Sequence, residues 1–285
     1  MFKSSPNRII DKGFQVLGLL TTVIALMILA TFIIYIVYLG ASRIDWAFMT
    51  SLPSRFHAKA GILTAWTGTI WVFVLTAFSA IPIGISTGIY LEEYAKKTRL
   101  ANILEINIAN LAGVPSIIFG LLGLEIFGRV FGLGRSVLAG SFTLALLILP
   151  IIIVATKESL RAVPQSLKDA AYGLGATKWQ TIWTQVLPVS FSGIMTGIVL
   201  ALSRVVGETA PLIVVGALAY VPFVAKSPMD DFTVLPMQIF NWISRPQHGF
   251  IVNAAAAIII LLIIVIILNG FAVIIRNRAS RKSNW

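Results

Sequence analysis

The chain has 285 residues, 58% of them hydrophobic and only 12% charged, with a mean hydropathy of +0.91 and a formal net charge of +11. A composition so apolar excludes a soluble globular domain and leaves a polytopic membrane protein. Nucleic-acid binding is excluded too, because the basic residues lie in short loops between apolar runs, as a bilayer requires. The chain has no cysteine, and His57 and His248 are far apart in sequence, so neither a disulfide framework nor a thiolate metal site is available.

The first apolar run covers residues 14–40 behind Lys3, Arg8 and Lys12. It is longer than a signal-peptide core and lacks a small-x-small cleavage site, so a retained N-terminal helix is expected. Further runs near 62–91, 103–127, 136–157, 189–216 and 251–275 bring the expected spans to about six. The fold expected is an all-α transmembrane helical bundle forming one integral membrane domain over 1–285, its core at 60–275. Placing alternate loops on opposite sides gives fourteen Lys and Arg on the side of the termini and seven on the other. Both termini are therefore expected in the cytoplasm, together with Lys96, Lys178 and Arg281, while Lys59 and Lys226 are expected outside.

Within the third run, Gly113-Val114-Pro115-Ser116 interrupts the helical pattern. Pro115 has no N–H, so the ladder breaks there. A break at membrane depth is tolerated where it faces protein or water, and a half-helix starting at Ser116 aims free N–H groups at an anion; a plain packing kink is the alternative. Glu105 and Glu125 flank this run and are expected at the interfaces.

The fifth run carries Gly193 and Gly197 as a G-x-x-x-G. Gly197, Ala201, Arg204, Glu208 and Pro211 then follow at helical spacing, predicting one shared face. An arginine within a span costs at least about 2.5 kcal/mol on insertion scales, so it faces a bundle interior or pathway and takes a partner. Glu208, one turn on, is that partner, and the pair is either part of a substrate path or a structural bridge.

Between the fourth and fifth runs lies a polar loop, residues 160–188. Pro164 can start a short helix over Gln165 to Leu174, with Gly175 as its C-cap. A T-x-x-Q capping box at Thr177 and Gln180 predicts a second helix, with Trp179, Ile182, Trp183 and Val186 as an apolar stripe, ended by Leu187-Pro188. Two short helices meeting at small residues make a docking protrusion or an interfacial hairpin. No phosphate-binding G-x-x-x-x-G-K-[ST], H-E-x-x-H or G-x-S-x-G is present, so no enzyme is expected in this chain and any ATP hydrolysis falls to another subunit.

The run Asp169-Ala170-Ala171, with Gly173 and then Leu187-Pro188, resembles the EAA loop of ABC-importer permeases, with Asp where Glu is usual. The resemblance implies a type I importer permease whose loop is the coupling helix that docks into an ATPase. Ile81-Pro82-Ile83-Gly84, Tyr90-Leu91-Glu92-Glu93-Tyr94, Gly113-Val114-Pro115-Ser116 and the run from Ala201 through Arg204, Glu208 and Pro211 to Leu212 resemble the second permease subunit of high-affinity phosphate importers. Residues 1–60 carry no motif of that family. The resemblance implies a paralogous permease in a heterodimer and two copies of a phosphate-importer ATPase that holds ATP and Mg, this chain having no cofactor of its own. It further implies an extracytoplasmic phosphate-binding protein, surrounding membrane lipid and a bacterial plasma membrane. A permease for phosphonate, sulfate or molybdate, and a membrane scaffold without transport, are the alternatives.

Overall fold

The computed structural model describes residues 8–95, 98–217 and 220–280. Lys96 and Arg281 lie outside the described residues. In chain order the helices are α1 (Arg8–Gly40), α2 (Trp46–Thr50), α3 (Leu63–Ile89), α4 (Arg99–Leu111), α5 (Ser116–Gly123) and α6 (Val137–Arg161). They continue with α7 (Gln165–Gly173), α8 (Lys178–Thr181), α9 (Leu187–Gly207), α10 (Ala210–Val215), α11 (Leu235–Ile243) and α12 (His248–Ser280). Five helical stretches are long and apolar enough to cross a membrane, and α4 with α5, bent by 107°, make a sixth broken span.

α6 is the axis of the bundle, with 67% of its most apolar stretch buried. Two pairs of glycines let neighbouring backbones close on it. Gly84 and Gly88 of α3 sit against Ile152 and Thr156, where added Cβ atoms would fall 2.6 and 2.7 Å from those side chains. On the adjacent face of α6, Gly193 and Gly197 of α9 sit against Ser159 and Ala155. With no hydrophobic drive between helices in lipid, such close approach supplies the dispersion contacts that hold them. The glycine contacts also set the register. Numbers rise together along α3 and α6, so these run parallel, while α9 runs antiparallel to α6. Carrying that register on at about 1.5 Å per residue places Arg204 level with Ile148, halfway along α6.

α3 passes through Pro82 without a break and ends in a wider turn, Tyr90–Tyr94, closed by Ala95 N–H bonding the carbonyl of Tyr90 at 2.8 Å. A second wide turn, Ile182–Val186, corrects the expectation that Leu187-Pro188 ends the helix begun at Thr177. α8, this turn and α9 form one 30-residue span, Lys178–Gly207. Pro188 stands at its second α-helical position, and the widened turn gives its ring the room that the carbonyl one turn back would otherwise occupy.

The fifth span differs in another respect. It stops at Gly207 instead of reaching residue 216, because Pro211 in a continuous helix would clash with the Gly207 carbonyl. The chain runs extended through Glu208 (φ −75°, ψ 127°) and restarts as α10 with Pro211 in its first turn. Glu208 and Pro211 therefore do not share a helical face with Gly197, Ala201 and Arg204.

At the end remote from the 160–188 loop, Arg43 staples three segments. Its Nε donates to Asn253 Oδ1 at 3.1 Å, and Nη2 donates to the carbonyls of Ala58 and Ala60. Beside it, the segment around Phe232 and Thr233 covers the starts of α3 and α6: Thr233 lies over Gly68, and the Phe232 ring over Gly140. α1 leaves most of its apolar side chains, Phe14 to Tyr38, exposed toward the space that lipid fills.

Gly197→Leu is expected to disrupt the α6–α9 contact and cost about 1 to 3 kcal/mol or more through overpacking. Gly18→Leu, in open space on α1, is expected to be silent. Thermal aggregation in detergent and membrane abundance of the two variants check this.

Candidate functional site

The end of α9 shapes the first part of the site. At the helix terminus Glu208 turns extended, and its backbone N–H bonds Val205 O at 3.3 Å. Its carboxylate folds back so that Arg204 Nε donates to Glu208 Oε1 at 2.8 Å. The side chains keep 35% and 16% of their exposure, so the pair is neither sealed in a core nor loose on a surface. Among the described residues, the two terminal amino groups of Arg204 make no hydrogen bond, leaving one edge of the guanidinium fork unspent. Next to it Ser203 Oγ lies 2.6 Å from Asn269 Oδ1, joining α9 to α12. Asn269 was not singled out from sequence, although one amide inside a run of Ile, Leu and Val was a readable signal.

The second part is the break between α4 and α5. Val114 N–H bonds Leu111 O, Pro115 takes φ −53° and ψ 133° as the cap, and α5 begins at Ser116. Gly113 and Pro115 are exposed, Ser116 is half-buried, and Val114 packs on the main core. Gly123 sits on Thr143 of α6, so Ser116 is about level with Pro150 by the same rise per residue. Ser116 and Arg204 thus lie near one depth, halfway along α6, and the breaks at Pro115 and after Gly207 fall on either side of it, about 9 Å apart along the axis. They are joined laterally, because α5 packs on α10 with Gly120 against Pro211. Among the described residues no hydrogen bond links Gly113, Pro115 or Ser116 to Arg204 or Glu208.

The third part is the polar loop. α7 ends in a Schellman motif: Ala176 N–H bonds Ala171 O, Gly175 N–H bonds Tyr172 O, and Gly175 takes φ +83°, open to glycine at no steric cost. The predicted capping box is present, with Gln180 N–H donating to Thr177 Oγ1 at 3.3 Å and Thr177 N–H to Gln180 Oε1 at 2.8 Å. Asp169 accepts from Gln165 Nε2 at 3.0 Å on the exposed face, beside exposed Ala170 and half-buried Ala171. A Cβ on Gly173 would meet nothing within 4 Å. Leu187 is half-buried and Pro188 exposed. The expected apolar stripe splits in two. Ile182 and Val186 are buried toward the bundle, whereas Trp179 and Trp183 are both 60% exposed and stack at 5.5 Å. With Leu174 90% exposed beside Tyr172, the loop offers an aromatic and aliphatic surface that the described residues leave exposed.

Among the described residues no three His, Asp or Glu side chains gather to hold a metal ion. Charge is concentrated instead where the loop meets the bundle. Arg161 pairs with Glu92 at 3.1 Å, Lys168 with Glu93 at 2.5 Å, and Lys157 with Glu105. Glu105, expected at an interface, is thus held in an ion pair.

A helical bundle with spans broken at mid-depth and a folded loop at one end has the fold of ABC-importer permeases. A chain of a bacterial ABC transporter that imports the acidic polysaccharide alginate matches with a TM-score of 0.67 at 14% identity, over 95% of this chain and 98% of that one. A chain of the MetNI methionine transporter matches with a TM-score of 0.62 at 20% identity, over 76% and 95%. In sequence, residues 80–281 match the model described as binding-protein-dependent transport system inner membrane component, and the chain belongs to that family. Its relatives include the phosphate transport system permease protein PstA 1 of Mycobacterium tuberculosis, 33% identical over 81% of this chain and 74% of that protein. PstA of Yersinia pestis is 37% identical over 70% and 67%, and PstA of Haemophilus influenzae 31% identical over 81% and 80%.

Because the Arg204–Glu208 pair is partly exposed, its net contribution to folding is expected to stay within about 1 kcal/mol. Glu208→Gln should therefore leave the melting temperature in detergent and the membrane abundance near those of the native protein. A large fall in either would mark the pair as a structural bridge.

Proposed function

We propose that this chain is one of two permease subunits of an ATP-driven, binding-protein-dependent importer of inorganic phosphate. It works with a paralogous permease, two copies of an ATPase that holds ATP and Mg, and an extracytoplasmic phosphate-binding protein. The observation that carries the reading is Arg204, at mid-depth beside a broken helix, with part of its guanidinium fork unspent. The names of the relatives from Mycobacterium, Yersinia and Haemophilus support phosphate as the substrate. The fourteen-to-seven distribution of Lys and Arg supports a bacterial plasma membrane with both termini and the 160–188 loop on the cytoplasmic side.

The chemistry follows from the side chains. A planar guanidinium meets two phosphate oxygens at once, where an ammonium is a compact and strongly hydrated point charge. Glu208 accepts a hydrogen bond from a protonated phosphate oxygen and repels fully ionised sulfate, which has no such proton. The same carboxylate orients Arg204 through Nε before phosphate arrives. Gly113, Pro115 and Ser116 contribute the second break, with Ser116 near the depth of Arg204, where backbone groups without helical partners line the path. At the other end, Asp169, Ala170, Ala171 and Gly173, with Leu187 and Pro188 at the return into α9, form the surface that the ATPase grips.

Arg204→Lys is expected to lower phosphate uptake by about tenfold or more at unchanged abundance, since the bidentate contact is lost while the charge is kept. Uptake of radiolabelled phosphate and sulfate, read beside abundance, tests this. Near-native uptake by the Lys variant, or full activity of Arg204→Glu combined with Glu208→Arg, would remove Arg204 from the path.

Gly173→Leu introduces a side chain whose Cβ meets none of the described residues within 4 Å, so a loss of coupling at unchanged abundance is an intermolecular effect. It is expected to leave the protein folded in the membrane and to abolish the stimulation of ATP hydrolysis by the loaded binding protein in proteoliposomes. Full stimulation would show that α7 does not dock at this face.

A further inference from the structure

The end of α3 holds the 160–188 loop at three successive points. Glu92, Glu93 and Tyr94 are consecutive residues of the wide turn Tyr90–Tyr94. Glu92 takes Arg161, at the end of α6, through two contacts: Nη2 to Oε2 at 3.1 Å and Nε to Oε1 at 3.4 Å. Glu93 takes Lys168, in the middle of α7, at 2.5 Å. The Tyr94 ring takes Lys178, at the start of α8, with Nζ 4.9 Å from the ring centroid. One turn therefore contacts the end of α6 where the loop begins, the loop's first helix and its second helix.

The central contact differs from an ordinary surface pair. The Lys168 side chain keeps 11% of its exposure and that of Glu93 7%. A pair so desolvated is held in one geometry, and loss of one partner leaves the other charged in a poorly hydrated place. The outer contacts are more open, and Arg161 also meets Glu158 at 3.2 Å and Glu105 at 3.8 Å. Beneath the pair, Leu160, Val163 and Val186 form a small buried core, with Ile89 and Leu167 packed against it. α7 otherwise presents an exposed face, so Lys168 is its main charged anchor to the bundle.

We infer that Glu93 and Lys168 are positioning residues that lock α7 to the end of α3, so that displacement of the loop by its ATPase reaches α3 directly as well as through α9. This rests on the importer reading above. α3 is pressed on α6 through Gly84 and Gly88, and Thr69, Val72 and Phe73 near its far end line a small cavity with Glu208. The route therefore runs from the loop, through Glu93, to the neighbourhood of the Arg204–Glu208 pair. The uncharged Tyr94 and the more exposed Glu92 serve as guides on either side.

The test uses the complete importer, purified with its ATPase and second permease by a tag on this chain and reconstituted with the binding protein. Glu93→Gln keeps the shape of the side chain and an oxygen that accepts from Lys168, so α7 stays folded while the ionic lock is lost. Phosphate moved per ATP hydrolysed is expected to fall about tenfold in Glu93→Gln and Lys168→Gln. Co-purified ATPase per permease should stay near the native level, and because the ratio is read on the assembled complex it is separate from the lower membrane abundance that the stranded charge is expected to cause. Glu93→Lys combined with Lys168→Glu should restore most of the ratio. An unchanged ratio in the single variants would overturn the inference. So would lower abundance with a native ratio in the protein that remains, which marks a purely structural pair, and so would a double variant no better than the singles. Failure of the native complex to couple phosphate movement to ATP hydrolysis would instead defeat the importer reading itself.

Discussion

The arrangement of this permease depends on the glycine backbones of two neighbouring helices seated directly on side chains of α6. Lipid tails are as apolar as leucine, so side-chain hydrophobicity cannot by itself choose partners among the spans. Gly84 and Gly88 on one side, and Gly193 and Gly197 on the adjacent side, make the choice sterically, by admitting α6 where any Cβ would exclude it. Direction, register and depth of α3 and α9 all follow from those four positions. Small residues seated on α6 also fix the level of Ser116 and of Arg204, which come to within about 3 Å of one another beside the interruptions at Gly113–Pro115 and after Gly207.

That coincidence of depth joins fold to chemistry. A helix ending in the middle of a membrane leaves carbonyl and N–H groups without partners, which is tolerable only beside protein or water. Proline creates both interruptions: Pro115 by lacking a donor, Pro211 by excluding the carbonyl one turn earlier. Arg204 then stands as a fixed positive charge one turn before the interruption of α9, and Glu208 is placed by the extended backbone that the break itself produces.

The span pattern was legible because apolar length is a strong signal, and the ends of the 160–188 helices were legible because caps are local chemistry. The Thr177–Gln180 box and the glycine turn at Gly175 depend on residues within five positions of one another. What remained hidden was the effect of competing local rules. Leu187-Pro188 reads as a stop, yet a widened turn lets α8 run on into α9, and no residue pattern announces such a turn. Arg204 to Pro211 reads as one face by spacing, yet Pro211 acts backward on Gly207 and removes Glu208 from the helix. The Arg–Glu pair was readable because i and i+4 side chains can meet in either conformation. The pairings of Glu92, Glu93 and Glu105 join residues 52 to 75 positions apart, and only the tertiary packing of the end of α3 and of α4 against α6 and α7 reveals them.

The uninterrupted course from Lys178 to Gly207 makes this span a rigid rod about 45 Å long. It touches its neighbour most closely at Gly193 and Gly197, and such a contact serves as a fulcrum. From the midpoint of that contact the arm toward the stacked tryptophans is about 21 Å, and the arm toward Arg204 about 14 Å. If the rod pivots there, a sideways push on Trp179 and Trp183 is delivered to the guanidinium in the opposite direction and at about two-thirds of the amplitude. Geared in this way, a loop movement of several ångströms becomes a shift at Arg204 on the scale of one hydrogen bond, enough to make or release a contact without unseating the rod.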